Sequence, residues 1–111
     1  MIARTPEELP TLFADAFNAG DPSALYEPGA QPDELADHLK LTQKMTVVTR
    51  KVIARGDLAL LIVDWRIGDV TGTATDITGT ATDVARRGPD GGWRYAIDNP
   101  SGIGDHPSGL A

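Results

Sequence analysis

The sequence lacks cysteine, which excludes a disulfide framework and a thiolate metal site. Histidine is scarce as well, because the chain has only His38 and His106, which lack the spacing of a zinc site. No apolar run approaches the roughly 20 residues that a membrane-spanning helix needs. We therefore expect no bound metal and no membrane span, and we expect His106 to be solvated.

Positive charge is also in short supply. The 10 Lys and Arg residues are outnumbered by 16 Asp and Glu residues, which gives a formal net charge of -6, and the basic residues form no stripe. Nucleic acids and anionic membrane surfaces are therefore not expected as partners. The chain has no nucleotide or flavin motif, and no helix follows the glycines of Gly88–Gly92 as in a phosphate loop. We expect no cofactor.

What is present fits one modest globular domain. The chain has 111 residues, and its apolar content of 41% is ordinary for such a protein. We expect a single domain over residues 1–100 and a flexible tail, rich in Gly and Pro, over residues 101–111. The N-terminus leads into a capped helix rather than a signal peptide, so a cytoplasmic location is expected.

Three helices are predicted in the first part of the chain. The first begins at the capping box Thr5-Pro6-Glu7-Glu8, continues with apolar residues at helical spacing and ends at Gly20. A short second helix follows Asp21-Pro22. A third is expected from residue 32 or 33 to about residue 43, with Leu35 and Leu39 facing inward.

Two strands, Met45–Arg55 and Leu58–Ile67, are predicted around a two-residue turn, Gly56-Asp57. The register that this turn sets has three opposed pairs: Val48 with Trp65, Val52 with Leu61, and Thr49 with Asp64. The second strand is apolar on both faces at its start, so both faces should be covered. Helices can cover one face, and a second subunit is expected to cover the other. The sequence therefore predicts a homodimer through the sheet.

A second hairpin closes the domain. Pro89-Asp90-Gly91 has the chemistry of a three-residue loop, with glycine at the left-handed position. This loop sets three opposed pairs: Gly88 with Gly92, Ala85 with Tyr95, and Asp83 with Ile97. Asp83 is then a lone carboxylate on the apolar face of the hairpin, and Asp98 falls on the opposite face.

Residues 71–84 contain a repeat, Thr-Gly-Thr-Ala-Thr-Asp-Ile followed by Thr-Gly-Thr-Ala-Thr-Asp-Val. Because seven is odd, one continuous strand would point Asp76 and Asp83 to opposite faces. We predict that the second copy is a strand and that the first is a strand extension or a hairpin partner. The alternative is that the repeat has no special role and that Thr-Gly-Thr-Ala merely has a composition that suits an edge strand.

Three helices followed by four long antiparallel strands predict an α+β fold, with a curved sheet wrapped against helices. The stretch Phe17-Asn18-Ala19-Gly20-Asp21-Pro22 at the end of helix 1, together with the closing hairpin through Gly92-Trp93-Arg94-Tyr95-Ala96-Ile97, resembles the NTF2-like superfamily. The similarity is greatest to the SnoaL-like and ketosteroid-isomerase-like branch and covers roughly residues 5–26 and 44–100. It implies a cone-shaped α+β barrel with an open pocket, usually dimeric. Members include isomerases, cyclases, dehydratases, epoxide hydrolases and non-enzymatic domains, so the fold does not name a reaction.

The resemblance implies only part of a catalytic set. In ketosteroid isomerases a protonated aspartic acid before the closing turn helps to form an oxyanion hole, and Asp83 matches it. The partner tyrosine on helix 1 corresponds to Phe13, which has no hydroxyl group, and Tyr26 is a candidate replacement. The segment that carries the family's aspartate base is shortened here to Tyr26–Asp33. Ketosteroid isomerisation is therefore not expected, and the shortening implies a more open pocket mouth or a region rebuilt by a partner subunit.

The candidate site residues each have a structural alternative. The candidate acid–base residues are Asp83, as acid or hydrogen-bond donor, and Asp64, with Asp98 as the alternative base; these carboxyls would otherwise form ion pairs, cap backbone groups or serve a turn. The candidate ligand-binding residues, which would otherwise serve the core, a turn or the surface, are Trp65, Tyr95, Asp98, Asn99, Phe13 and His38.

Two functions compete. The first is a small-molecule-binding SnoaL-like protein, with cofactor-free acid–base chemistry on a mostly apolar substrate that carries a carbonyl or epoxide group. The second is a non-catalytic ligand-binding or dimerisation domain with a vestigial pocket. A cavity of some hundreds of Å³ around Asp83 would favour the first, and a filled core would favour the second.

Overall fold

The computed structural model describes residues 2–41, 43–68 and 77–104. Its helices are α1 (Leu9–Asn18), which continues from a 3-10 turn at Pro6–Glu8, and α2 (Glu34–Lys40), with a second 3-10 turn at Ser23–Leu25 between them. Its strands are β1 (Met45–Arg55), β2 (Leu58–Ile67), β3 (Ile77–Arg87) and β4 (Trp93–Ile97). The described strands form one antiparallel sheet in the order β1-β2-β3-β4. The predicted α+β fold, helices on a curved antiparallel sheet, is confirmed.

The N-terminal helices follow from local signals. The Glu8 carboxylate accepts a hydrogen bond from the backbone N–H of Thr5 at 2.9 Å, as the capping box predicts. Gly20 ends the α1 region with a positive φ of 96°. The second helix is a single 3-10 turn, and α2 ends at Lys40 rather than near residue 43. The Leu41 N–H bonds the His38 carbonyl at 3.2 Å, so the helix closes in a 3-10-type turn before the predicted end.

The β1–β2 hairpin has the predicted bounds and turn, but only part of the predicted register. Val52 lies opposite Leu61, as expected. The other two predicted pairs are wrong because β1 has a bulge at Arg50, between Thr49 and Lys51. Beyond the bulge the register shifts by one, with these pairs: Val47 with Trp65, Val48 with Asp64, and Thr49 with Val63.

In the closing hairpin, too, the turn is as predicted but the register shifts farther along the strands. The Gly88 N–H bonds the Gly92 carbonyl at 2.8 Å, and Gly91 has a positive φ of 80°, as the three-residue loop requires. Ala85 pairs with Tyr95 as predicted.

The predicted pairing of Asp83 with Ile97 is wrong. Val84 lies opposite Ile97 instead, because Ala96 is an extra residue in β4. This bulge reverses the alternation of side chains, so that Ile97 is 57% exposed and Asp98 turns to the inner face. The prediction that Asp98 lies on the opposite face from Asp83 is therefore also wrong.

The core lies between the helices and the inner face of the sheet. Its fully buried members include Leu9, Leu25, Leu61 and Ile67. Two short bridges extend the β4 edge of the sheet. Ala3 pairs antiparallel with Trp93, and Tyr26 pairs parallel with Tyr95.

The second copy of the repeat lies within β3, as predicted, and the first copy with Asp76 lies outside the described residues. Of the predicted tail, residues 101–104 form hydrogen-bonded turns: the Gly102 N–H bonds the Asn99 carbonyl at 3.2 Å, and the Gly104 N–H bonds the Ser101 carbonyl at 2.8 Å. Residues 105–111, with His106, are outside the described part of the chain. Within the described ranges, no helix is both long enough and apolar enough to span a bilayer.

Candidate functional site

A cavity lies between α1, α2 and the inner face of the sheet. Aromatic side chains from three elements line it: Phe13 and Phe17 from α1, Trp65 from β2, and Tyr95 from β4. His38 of α2 lies at its wall, with its ring centroid 5.2 Å from that of Trp65. Water-sized molecules can place their centres in about 40 Å³ of this cavity. The core is therefore neither filled nor open to the extent of some hundreds of Å³.

Two carboxyl groups, those of Asp83 and Asp98, project into this cavity. Asp83 is only 4% exposed, and its Oδ1 accepts a hydrogen bond from the backbone N–H of Asn99 at 2.9 Å. Burial raises the pKa of Asp83 to about 8, and the negative charge of Asp98 adds to this effect. The Asn99 N–H acts in the opposite direction, because it stabilises the ionised form.

Asp98 has a different donor. Its Oδ2 accepts a hydrogen bond from the Tyr26 hydroxyl at 2.5 Å. Burial raises the pKa of Asp98, while hydrogen bonds from Tyr26 and Asp83 oppose that rise. Asp83 is buried and Asp98 is partly buried, and two neighbouring carboxyls in such a place do not both ionise readily. We therefore assign one shared proton to this pair near neutral pH, carried by Asp83 and donated to Asp98.

The aromatic residues around the pair are held by their mutual packing. Phe13 meets Tyr26 and Tyr95 edge to face, with ring centroids 5.8 and 5.5 Å apart. Burial raises the pKa of both tyrosines well above the ordinary value, and the charge of Asp98 adds to this at Tyr26, so both hydroxyls stay protonated. Phe13 is therefore a packing group between the two tyrosines.

The segment after β4 makes hydrogen bonds to residues of β2 and β3 around the cavity. The Trp65 indole N–H donates to the Pro100 carbonyl at 2.7 Å. The Asn99 side chain points away from the cavity and donates to Thr82 Oγ1 at 2.9 Å. Asn99 therefore contacts Asp83 through its backbone, and no cavity-facing role of its side chain is seen.

Asp64 is not part of this site. It lies on the outer face of the sheet, where its carboxylate binds Arg50 at 2.9 Å and accepts a hydrogen bond from Thr80 Oγ1 at 2.7 Å. The Thr80 hydrogen bond, together with Arg50, lowers the pKa of Asp64. Side chains alternate between the two faces of a strand, and Val63 and Trp65, on either side of Asp64, face the cavity. Asp64 must therefore face outward. The prediction that Asp64 shares a pocket with Asp83 is wrong.

No protein-family model matches the sequence, and no curated protein matches it. Solved structures do resemble it. The chain superimposes with a TM-score of 0.68 on a protein from Thiobacillus denitrificans described as a candidate calcium/calmodulin-dependent protein kinase type II association domain, at 22% identity over 92% of this chain and 98% of that one. A similar candidate domain from Xanthomonas campestris gives a TM-score of 0.63 at 18% identity, over 86% of this chain and 84% of that one.

A third structure decides the fold. It is a nuclear transport factor 2 (NTF2-like) superfamily protein from Salmonella enterica, with a TM-score of 0.64 and 16% identity over 90% of this chain and 89% of that one. The fold is NTF2-like. Identities this low establish the fold alone and carry no activity across.

Within the NTF2-like fold, most of the predicted site residues converge. Those that line one cavity are Phe13, His38, Trp65, Asp83, Tyr95 and Asp98. The contact that sequence reasoning missed is the one between Tyr26 and Asp98, which joins residues 72 positions apart. Its only signal in the sequence was a hydroxyl-bearing aromatic residue at the end of the second helix. In the described part of the chain, no three metal-ligating side chains cluster together.

Proposed function

We propose that this NTF2-like protein binds a small, mostly apolar molecule in the cavity and that Asp83 and Asp98 act on it as an acid–base pair. The observation that carries the proposal is the pair itself, with a buried Asp83 and a partly buried Asp98, both hydrogen-bonded, in a cavity lined by aromatic rings. An apolar cavity with a few convergent polar groups and perturbed pKa values is the usual form of a small-molecule site.

The two carboxyls suit complementary roles. A protonated Asp83 can donate to a carbonyl or epoxide oxygen, and an ionised Asp98 can accept a proton from carbon or from water. Asp98 would then supply the base that the shortened Tyr26–Asp33 segment lacks, without a cofactor. The match of Asp83 to the SnoaL-like and ketosteroid-isomerase-like branch supports this assignment. The volume of about 40 Å³ favours a ligand of few atoms.

Carboxyl-carbon NMR tests the proposal. In protein labelled at its aspartates, we expect Asp83 to titrate well above its ordinary value of about 4 and to report the ionisation of Asp98. A small ketone such as acetone should shift both signals, and Asp83→Asn should abolish that response. Asp64→Asn is the matched control, because it removes a carboxylate outside the cavity. Separate titration of both carboxyls near pH 4 would refute the pair.

A second candidate function, a dimerisation domain with a vestigial pocket, is favoured by the outer face of the sheet. Four apolar residues lie directly opposite one another across all four strands: Ile53, Leu60, Val84 and Ile97. Ile53 is 46% exposed and Leu60 is 39% exposed. Such a row supports a homodimer through the sheet. The Thiobacillus and Xanthomonas proteins, described as association domains, are consistent with that use of the fold.

Sedimentation equilibrium tests the dimer. We expect a dimer for the unaltered chain and a monomer for Leu60→Lys, since a charge at the centre of the row would be buried without a partner. Lys51→Glu, which changes a charge beside the row, is the control and should remain dimeric. A monomeric unaltered protein would contradict this candidate.

A further inference from the structure

Three consecutive residues, Asp98-Asn99-Pro100, each fix a different part of the candidate site. Asp98 supplies the second carboxyl. The Asn99 N–H bonds Asp83, and the Pro100 carbonyl accepts the Trp65 indole N–H. The two aspartates and the indole are thus assembled by one short segment that follows β4.

Asn99 is the anchor of this segment. Its side-chain amide donates to Thr82 Oγ1 at 2.9 Å and to the Gly102 carbonyl at 2.8 Å. Its backbone carbonyl accepts hydrogen bonds from the N–H groups of Thr82 at 3.0 Å and Gly102 at 3.2 Å. The residue therefore ties the segment to β3 on one side and to the following turn on the other, which fixes the direction of its N–H toward Asp83.

We propose that Asn99 is a positioning residue for Asp83: its side chain anchors the N–H that Asp83 accepts, and this N–H and the Tyr26 hydroxyl together decide which carboxyl carries the shared proton. The inference rests on the proposed acid–base pair. It assigns a role to two groups that do not line the cavity.

The physical basis is a competition between two donors. A hydrogen bond to a carboxylate favours its ionised form. The Asn99 N–H does this for Asp83, and the Tyr26 hydroxyl does it for Asp98. Displacing the Asn99 N–H or removing the Tyr26 hydroxyl should move the proton toward the carboxyl whose donor is weakened or gone, so the two changes should act in opposite directions.

Other groups that act on the pair remain in place in both cases. From α2 these are Glu34, whose charge raises the pKa of Asp98, and His38, which lowers it. From β4 it is Tyr95, which is buried beside both carboxyls. Substituting Asn99 or Tyr26 leaves these groups unchanged. A difference in titration between the two variants is therefore due to the Asn99 N–H and the Tyr26 hydroxyl.

The experiment compares Asn99→Ala with Tyr26→Phe by the carboxyl-carbon signals of Asp83 and Asp98 from about pH 3 to about pH 10. Asn99→Ala keeps the backbone N–H but removes the side-chain bonds that direct it, so the midpoint of Asp83 should rise by up to about one pH unit, the value of a fully lost hydrogen bond to a charged group. In Tyr26→Phe, the midpoint of Asp98 should rise by a similar amount, and the Asp83 signal at neutral pH should move toward its ionised position. Ser101→Ala, in the same turn, should change neither.

The outcomes separate the inference from the proposed function. If the two carboxyls of the unaltered protein titrate independently near pH 4, the acid–base pair fails and the inference with it. If they share a proton but Asn99→Ala leaves the Asp83 midpoint unchanged, only the inference fails. Asn99→Ser keeps one donor and covers the case in which Asn99→Ala does not fold. An intermediate rise would support the positioning role, and no rise would overturn it.

Discussion

Asp83 on the inner face of the sheet and Asp64 on its outer face occupy neighbouring strands in opposite environments. Asp83 is buried among aromatic rings beside a second carboxyl, and its pKa is raised. Asp64 is partly exposed and bound to Arg50 and Thr80, and its pKa is lowered. The same side chain is thus set up to hold a proton on one face and to remain charged on the other.

The difference teaches that the face of the sheet, rather than the residue type or the strand, decides what an aspartate can do. Burial without a cation disfavours the charged form, while a guanidinium and a hydroxyl stabilise it. What matters is therefore which face of the sheet a side chain points to, and a single bulge reverses this for the residues that follow it.

The largest expected effect tests the inner face as a packed core. Leu61 is fully buried, whereas its neighbour Leu60 lies on the outer face. Leu61→Ala leaves a cavity, so we expect the free energy of unfolding to fall by about 2–5 kcal/mol. Leu60→Ala is the matched control and should cost less than about 1 kcal/mol. Urea unfolding at neutral pH measures both.

If both variants lost the same free energy of unfolding, the inner face would not be the packed core and the outer face would not be the exposed one. A loss in Leu60→Ala that depends on protein concentration would have a different meaning. It would show that the outer face is buried between two copies, because dissociation and unfolding are then linked.

The second prediction concerns the pH dependence that Asp83 confers. The folded protein holds its proton up to about pH 8, while an unfolded chain releases it near its ordinary value of 3.8. Between these values the folded state binds more protons, so its stability should be full below about pH 4 and should fall as pH rises toward 8. Asp83→Asn mimics the protonated form and should flatten this decline. Thermal unfolding at several pH values measures it.

Asp64→Asn is the control for that series and should keep the decline of the unaltered protein. A stability that rises through this window, or a decline that survives in Asp83→Asn, would show that Asp83 is not the group that holds the proton.

The sequence predicted the hairpins better than the side-chain directions. The bounds of β1 and β2 followed from Gly56-Asp57, and the closing loop followed from Pro89-Asp90-Gly91, because both turns need residues with special backbone freedom. The bulges at Arg50 and Ala96 carry no such residue, since a bulge depends on how two strands pair.

Consequently Asp83 was placed on the correct face and Asp98 on the wrong one. The contact between Tyr26 and Asp98 depends on how the helices pack on the sheet, which local sequence patterns do not contain. The sequence offered Asp98 as one of two possible bases for Asp83, but the bulge in β4 that brings the two carboxyls to the same face could not be predicted from it.

The third prediction tests whether the inner-face site depends on the turn that follows β4. Gly102 has a φ of 59°, and a Cβ there would lie 2.7 Å from the Thr80 carbonyl oxygen. Gly104 also has a positive φ but has nothing within 4 Å. Gly104→Ala should cost about 1 kcal/mol of backbone strain, and Gly102→Ala roughly twice that. Only Gly102→Ala should shift the Trp65 indole N–H signal in NMR spectra, and equal shifts would contradict the dependence.

The smallest effect is expected on the outer face, for Asp64→Asn at neutral pH. The substitution removes an ion pair with Arg50 that is largely exposed to solvent, and such pairs contribute little to stability. The asparagine carbonyl can still accept the Thr80 hydroxyl. We therefore expect no change in Tm beyond experimental error, at low or high salt.

Because the pKa of Asp64 is lowered, its contribution to stability should be lost only as pH falls below about 4, opposite in direction to that of Asp83. A large loss at neutral pH would mean that Asp64 is buried in the assembled protein, and the outer face would then have to be treated as an interface.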